Sequence, residues 1–372
     1  MIIYLLVFLI VEILAIMCNK IEKNNKTTKI FAFLIIIILS VFAGVRDLTI
    51  GTDVNVYGAN WFKIACDCQS FKDYIGLINT TDIGYLFINY IVSRFTTNVN
   101  IFLFIIQLIC NSLVIITLYR YRERCPFWLS LLTYLCIFYC RTFNILRQSI
   151  ALSILFYSIK YLYQNKNIKY LIAIMISSLF HYTAIFCVII LVLKKICESK
   201  SKYKNLYLLL IFLITIVSVY FIKDVIAILY SIGLVNVKIY NYLFTFVNDN
   251  DVDLFGIDFF VKTVFLIAIY FSYKKINKKE ELTQFLFFVT IMEFVIFQIK
   301  NIILYSDRIA LYFNYFILLL LPQASSNIST KPKDRLIVNA VFSTILIIYW
   351  IYKYVYAGSC DVYPYTSHIL GI

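Results

Sequence analysis

Apolar residues run through this chain in blocks of about 12 to 20 positions, with short polar stretches between them. Blocks of that kind suit helices that span or tilt across a bilayer, where each backbone donor and acceptor must be satisfied within the segment. Read as helices they number about twelve: 2–18, 30–44, 100–118, 126–140, 148–163, 168–180, 182–193, 205–222, 258–273, 282–299, 309–321 and 336–352. No internal repeat divides them, and 4 prolines and 9 glycines without a Ser/Gly-rich stretch leave no linker. Residues 1–372 therefore read as a single polytopic domain, an all-α integral membrane bundle. The first block has no basic residue ahead of it and no small-residue cleavage site, which predicts a retained helix and not a signal peptide.

Composition agrees with the pattern and charge orients it. A 62% apolar share and a mean hydropathy of +0.86 exclude an ordinary soluble globule. The net charge of +14 would suit a polyanion-binding protein, but the lysines gather between the apolar runs, which is a topology signal. Every second connection is basic: Lys20, Lys23, Lys26 and Lys29; Arg120, Arg122 and Arg124; Lys166 and Lys169; Lys194, Lys195, Lys200, Lys202 and Lys204; Lys274, Lys275, Lys278 and Lys279; Lys331, Lys333 and Arg335. These connections are assigned to the cytoplasm, which places both termini outside in a multi-pass protein of the cytoplasmic membrane.

Two of the remaining connections are long, about 45–99 and 223–257, and these are the larger external loops. The first contains amphipathic segments near 57–63 and 85–95. The second carries Asp249, Asp251, Asp253 and Asp258 in a run that lacks the glycine and closing glutamate of a calcium loop, so it reads as solvated loop. No metal or cofactor is expected. The ten cysteines lie mostly inside apolar runs; Cys66, Cys68 and Cys360 are the external ones, which leaves open a bridge from one of the first two to Cys360.

Against this orientation, Arg46, Arg94, Arg141, Arg147 and Arg308 stand on the side where the positive-inside rule expects few arginines. Four of them belong to polar clusters. Arg46 precedes Gly51, Thr52, Asp53 and Tyr57, a glycine turn and cap before a short helix, equally readable as an ordinary cap beside a snorkelling arginine. Arg141, Asn144, Arg147 and Gln148 follow the fourth run; in one continuous helix Arg141, Asn144 and Gln148 would share an arc of roughly 60°. Two guanidiniums and two amides at membrane depth are costly without an anion to bind, and the other reading is a polar turn between two helices with interfacial arginines. Arg308, Tyr312 and Tyr315 recur at helical spacing, beside Asp307, as a site stripe or as part of an aromatic belt. His181, with Ser177, Ser178 and Thr183, marks a turn between two short helices, where it is a structural histidine or a proton acceptor. Asp82, Gly84, Tyr85 and Arg94 form a weaker set, in which Arg94 reads as an anchor for an amphipathic segment.

In this order, the motifs Arg46 with Gly51-Thr52-Asp53 and Tyr57, Asp82-x-Gly84-Tyr85, Arg147-Gln148 leading to Ala151, Phe180-His181-x-x-Ala184, and Arg308 with Tyr312-Phe313 resemble the EpsG family of polysaccharide polymerases. These are relatives of the Wzy polymerases of O-antigen, capsule and exopolysaccharide. The family pattern is expected to carry glutamate where Asp82 stands. The resemblance implies a GT-C-like bundle and a glycosyltransferase that moves a growing glycan from undecaprenyl pyrophosphate onto a lipid-linked repeat unit at the outer face of the membrane. It implies that Arg141, Arg147 and Arg308 hold the pyrophosphate and that His181 or Asp53 orients or deprotonates the acceptor hydroxyl. Arg46, Gly51, Thr52, Tyr57, Asp82, Tyr85, Asn144, Gln148 and Tyr312 would line the substrate. Partners would be lipid-linked oligosaccharides, membrane lipids and other assembly proteins such as a flippase or chain-length regulator, with no nucleic acid. Two other classes compete. A flippase or transporter would place its polar groups near the bilayer midplane, and a membrane acyltransferase would centre on a histidine.

Overall fold

The computed structural model describes residues 1–21, 26–78, 80–234, 240, 256–275, 281–298, 306–328 and 331–372. Among these, every regular element is helical and no strand occurs. The helices are α1 (Ile2–Lys20), α2 (Lys26–Gly44), α3 (Trp61–Asp67), α4 (Phe71–Leu77), α5 (Ile83–Ser93), α6 (Val99–Arg120), α7 (Phe127–Tyr134), α8 (Leu146–Tyr163) and α9 (Asn167–Ser178). They continue with α10 (Val188–Glu198), α11 (Lys204–Ser231), α12 (Ile257–Lys275), α13 (Glu281–Gln298), α14 (Ser306–Asn314), α15 (Ile317–Ile328) and α16 (Pro332–Trp350). Where described, the predicted apolar runs are largely helical, and the run 309–321 is broken between α14 and α15. Among the described residues, α1, α2, α6 and the helix beginning at Pro332 are long and apolar enough to cross a membrane, and α14 with α15 would be a fifth if counted as one broken span. This is the architecture of a multi-pass helical membrane protein.

The described residues fall into two compact units, Met1–Ile185 with Leu318–Ile372, and Phe186–Ile317. In the first, α2 packs along α6, α1 lies against α2 and α7, and α8 lies against α6 and α9. The buried face of α1 is Tyr4, Phe8, Val11, Ala15 and Cys18, a three-and-four spacing that one helical stripe produces, while Leu6, Leu9, Ile10 and Ile13 remain exposed toward the position of lipid. Polar side chains tie the apolar helices to one another: Asn111 joins Ser40 at 3.1 Å and Tyr134 at 2.8 Å, and Gln107 exchanges two hydrogen bonds with Thr142, both at 3.1 Å. In the second unit, α13 packs against α10, α12 and α14, and an ion pair between Lys262 and Glu293 joins α12 to α13.

Two departures from the predicted runs bear on the site. The run 126–140 is not one helix: α7 gives way to a π-helical stretch at Leu135–Tyr139 and a 3₁₀ turn at Cys140–Phe143 before α8 begins. The loop 45–99 is mostly helix, with a π-helical stretch at Val54–Asn60 running into α3, then α4 and α5. Its apolar side chains, Val54, Phe62 and Tyr85 among them, share a core with Phe102, Leu103 and Ile106 of α6 and Leu146 and Ile150 of α8. The amphipathic faces predicted at 57–63 and 85–95 are those that pack here. Most of the second long loop, including Asp249, Asp251 and Asp253, lies outside the described residues; its beginning continues α11 to Ser231, and Asp258 opens α12.

The ten cysteines are free thiols, so the bridge left open between Cys66 or Cys68 and Cys360 is not present. Cys66 sits beside the Thr96 carbonyl, whereas Cys360 lies in the C-terminal tail beside Asn144. The basic connections also show their order. Arg120 lies over Tyr157, Arg122 over Tyr119 and Arg124 over Tyr163, with guanidinium-to-ring distances of 5.0, 4.0 and 5.2 Å. Flat cations on aromatic faces suit a helix end at the membrane boundary.

Candidate functional site

At the end of the first unit where α2 stops, α8 starts and α9 stops, the chain closes several contacts between distant segments. The one that shapes the rest is Gly51. Its φ of +90° is left-handed, and a Cβ there would meet the Phe143 carbonyl oxygen at 2.5 Å, so only glycine lets the loop press onto the turn after α7. Once it does, Asn144 receives two hydrogen bonds through Oδ1, from Thr52 Oγ1 at 2.5 Å and from the Asp53 backbone N–H at 2.9 Å. The predicted cap is therefore supplied across the chain by Asn144 and not by Thr52 itself. The expected common arc of Arg141, Asn144 and Gln148 does not form. Arg141 belongs to the 3₁₀ turn and Asn144 follows it, Ile145 turns the backbone, and Arg147 and Gln148 lie in the first turn of α8.

Arg46 is fully buried under this loop. Its guanidinium donates to the carbonyls of Ala43, Ile50 at 3.4 Å and Phe143 at 3.4 Å, and stacks 4.5 Å from the centre of the Phe143 ring. Burial pulls it down to about 10, which leaves it cationic at neutral pH. An arginine that closes three carbonyls in this way ties the loop to the end of α2 and to the turn after α7. The C-terminal tail straps the same loop from outside. Gly51 N–H donates to Asp361 O at 3.1 Å, Asp47 N–H to Thr366 O at 3.0 Å, and Ser367 Oγ to Val45 O at 2.5 Å. Asp47 accepts from the His368 backbone and faces its ring at 2.6 Å, which holds its carboxyl below the usual range.

Arg147, in the first turn of α8, stands over the Tyr57 ring at 3.9 Å and 5.2 Å from that of Trp61, and its Nη1 lies 2.5 Å from Asp82 Oδ2. Tyr57 and Trp61 meet edge to face at 4.9 Å, and the Tyr85 hydroxyl, deep in the core, donates to Tyr57 O at 3.0 Å. Tyr85 thus props the aromatic platform from behind. Gly84 N–H donates to Leu179 O at 2.7 Å, and a Cβ on Gly84 would come within 3.0 Å of that oxygen. The Asp82-x-Gly84 motif is thereby docked on the turn that carries His181. There His181 Nδ1 is 2.6 Å from Thr183 Oγ1 and the ring stacks on Tyr182. Asp82 is buried, and burial pushes its carboxyl up against the opposing pull of Arg147 and the Tyr182 backbone N–H.

Four motifs far apart in sequence thus meet in one unit: Gly51-Thr52-Asp53 with Asn144, Tyr57 under Arg147, Asp82-x-Gly84-Tyr85, and His181. Gln148 is buried in the first turns of α8. Arg141 is half-buried near Cys360 and Lys353; burial pushes the Cys360 thiol up, while these cations and the Asn144 side chain pull it down. Arg308 and Tyr312 belong to α14 in the second unit, with Tyr312 buried. Arg94 lies outside the assembly, with hydrogen bonds to Ala65 O at 2.5 Å and Ser93 Oγ at 3.0 Å and its guanidinium over Tyr90. It is the anchor of a surface helix.

Sequence reasoning missed Trp61, Lys353 and the tail. Trp61 had a signal, its four-residue spacing from Tyr57 in an amphipathic segment beside an arginine platform. The tail had none, because many of its contacts are with backbone groups about 320 positions away.

No curated protein and no solved structure matches the chain. The family model described as EpsG family matches residues 29–367, nearly the whole chain and all of the motifs above. The chain belongs to the EpsG family, a family of Wzy-like polysaccharide polymerases.

Proposed function

We propose that this chain moves a growing glycan from undecaprenyl pyrophosphate onto a hydroxyl of a lipid-linked repeat unit, at the outer face of the cytoplasmic membrane and with both termini on that side. The observation that carries the reading is Arg147 held over the Tyr57 ring and near Trp61, beside Asp82, at the end of the unit where the other motifs converge. A guanidinium is permanently charged and presents a planar fork, which suits a diphosphate leaving group better than lysine does. As the anomeric carbon–oxygen bond to the diphosphate breaks, Arg147 and Arg141 stabilise the charge that collects on the leaving oxygen. Arg308 and Tyr312, on their own unit, keep the anion-binding role that their motif implies. The acceptor oxygen forms the new bond and passes its proton to His181 or Asp53. Thr52, Asn144, Gln148 and Tyr57 line the approach of the sugars, while Gly51, Arg46 and Tyr85 hold those groups in place.

Sugar-linked lipids are the substrates in this reading, and a flippase and a chain-length regulator the assembly partners. Deleting the gene and resolving the surface glycan on a gel tests it. A ladder replaced by single repeat units supports the polymerase. Loss of all external repeat units supports a flippase, and full-length chains lacking acyl groups support an acyltransferase; either result refutes the proposal.

A further inference from the structure

The reading above asks Arg147 to meet a diphosphate, yet Arg147 already has an anion at 2.5 Å, the Asp82 carboxylate. Both partners are held from outside the pair. Tyr57 and Trp61 hold the guanidinium at 3.9 and 5.2 Å from their ring centres without neutralising it. Asp82 is held by the Tyr182 backbone N–H and by the docking of Gly84 on Leu179, and its side chain is only 3% exposed. A cation in such a place requires a counter-charge, because removing one member of a buried pair leaves the other uncompensated. A diphosphate offers more negative charge than one carboxylate and the same forked geometry. Burial also works against charge on Asp82, since its carboxyl is pushed up despite the adjacent arginine.

We propose that Asp82 is the resident counter-ion of Arg147, displaced by the diphosphate of the lipid-linked donor and restored when the lipid diphosphate leaves. This rests on the diphosphate-binding reading of Arg147. The exchange keeps the half-buried guanidinium neutralised in both states and makes donor binding a competition between two anions. Asp82 is then a positioning residue that weakens anion binding in order to let product go. A residue needed only for packing would, when replaced, loosen binding; this one, when neutralised, should tighten it.

The test is calorimetric binding of inorganic pyrophosphate to the purified full-length protein in detergent micelles. Asp82→Asn is expected to bind about tenfold more tightly than wild type, the scale of removing one close charge contact. Asp82→Ser, smaller and also neutral, carries the same expectation should the amide variant fail to fold. Arg147→Gln is expected to lose binding, and adding Asp82→Asn to it should recover none, because the two residues act as one unit. In cells, Asp82→Asn is expected to give fewer and shorter chains despite its tighter binding. Unchanged or weaker pyrophosphate binding in the neutral variants, with wild type binding measurably, overturns the counter-ion exchange alone. Wild-type affinity in Arg147→Gln overturns the diphosphate reading itself and the exchange with it.

Discussion

Replacing Gly51 by alanine changes one methyl group and reaches the whole assembly. The backbone there has φ +90°, which an L-residue with a Cβ adopts at a cost of about 1–2 kcal/mol. The new Cβ would sit 2.5 Å from the Phe143 carbonyl oxygen and 3.0 Å from its carbon, and a backbone carbonyl in a buried turn has little room to retreat. Relief requires the loop to lift by several tenths of an ångström, which weakens the hydrogen bonds of Asn144 to Thr52 and Asp53 and of Gly51 to Asp361, at about 0.5–1.5 kcal/mol each. The expected destabilisation is about 2.5–6.5 kcal/mol in all. Because the same loop leads into Tyr57, the platform under Arg147 shifts with it, and misplacement on that scale can reduce turnover by about 100-fold. Gly358 provides the control: its φ of +62° is also left-handed, but a Cβ there meets nothing within 4 Å, so alanine carries the backbone cost alone. The assay is the thermal midpoint of detergent-solubilised protein by fluorescence-detected size exclusion, with the surface-glycan ladder as readout of activity. A Gly51→Ala protein that melts with Gly358→Ala and makes a full ladder would refute the claim that this contact sets the site.

Three other expectations follow from particular contacts. Arg94→Ala removes the bonds to Ala65 and Ser93 and should lower the thermal midpoint, by about 1–3 kcal/mol of stability, while leaving the ladder intact; loss of the ladder at equal membrane levels would return Arg94 to the site. Alkylation of the denatured protein should add ten groups with or without prior reduction, and eight without reduction would reveal a disulfide. The raised Asp82 carboxyl means that the folded protein binds more protons than the unfolded chain between the ordinary carboxylate value and the raised one. Stability should therefore fall as pH rises through that window, and Asp82→Asn should flatten the fall; an unchanged profile in that variant would refute the assignment of burial as the dominant cause.

Much of the fold was readable because apolar periodicity and the bilayer leave few solutions: where described, the apolar runs are largely helical, and the buried stripe of α1 at Tyr4, Phe8, Val11, Ala15 and Cys18 follows from spacing alone. The division between the runs 126–140 and 148–163 was readable, but the π-helical stretch at Leu135–Tyr139 and the 3₁₀ turn at Cys140–Phe143 were not, since those residues continue a helical pattern and the contacts of Asn144 with Thr52 and Asp53 come from a distant loop. The motifs named the residues that meet but not their duties. That Arg46 donates to three backbone carbonyls could not be read, because sequence does not show where distant carbonyls lie. Asp82 and Arg147, 65 positions apart, gave no local sign of being partners. Their pairing comes from tertiary docking of Gly84 on Leu179, a contact between a missing side chain and a carbonyl.

The central claim is that Arg147 stabilises the leaving diphosphate during chain growth, and it is tested most directly in a strain deleted for the gene and complemented with Arg147→Gln at wild-type membrane abundance. The account predicts single lipid-linked repeat units in place of the glycan ladder, with wild type restoring the ladder in parallel. A ladder of unchanged length from Arg147→Gln would contradict it.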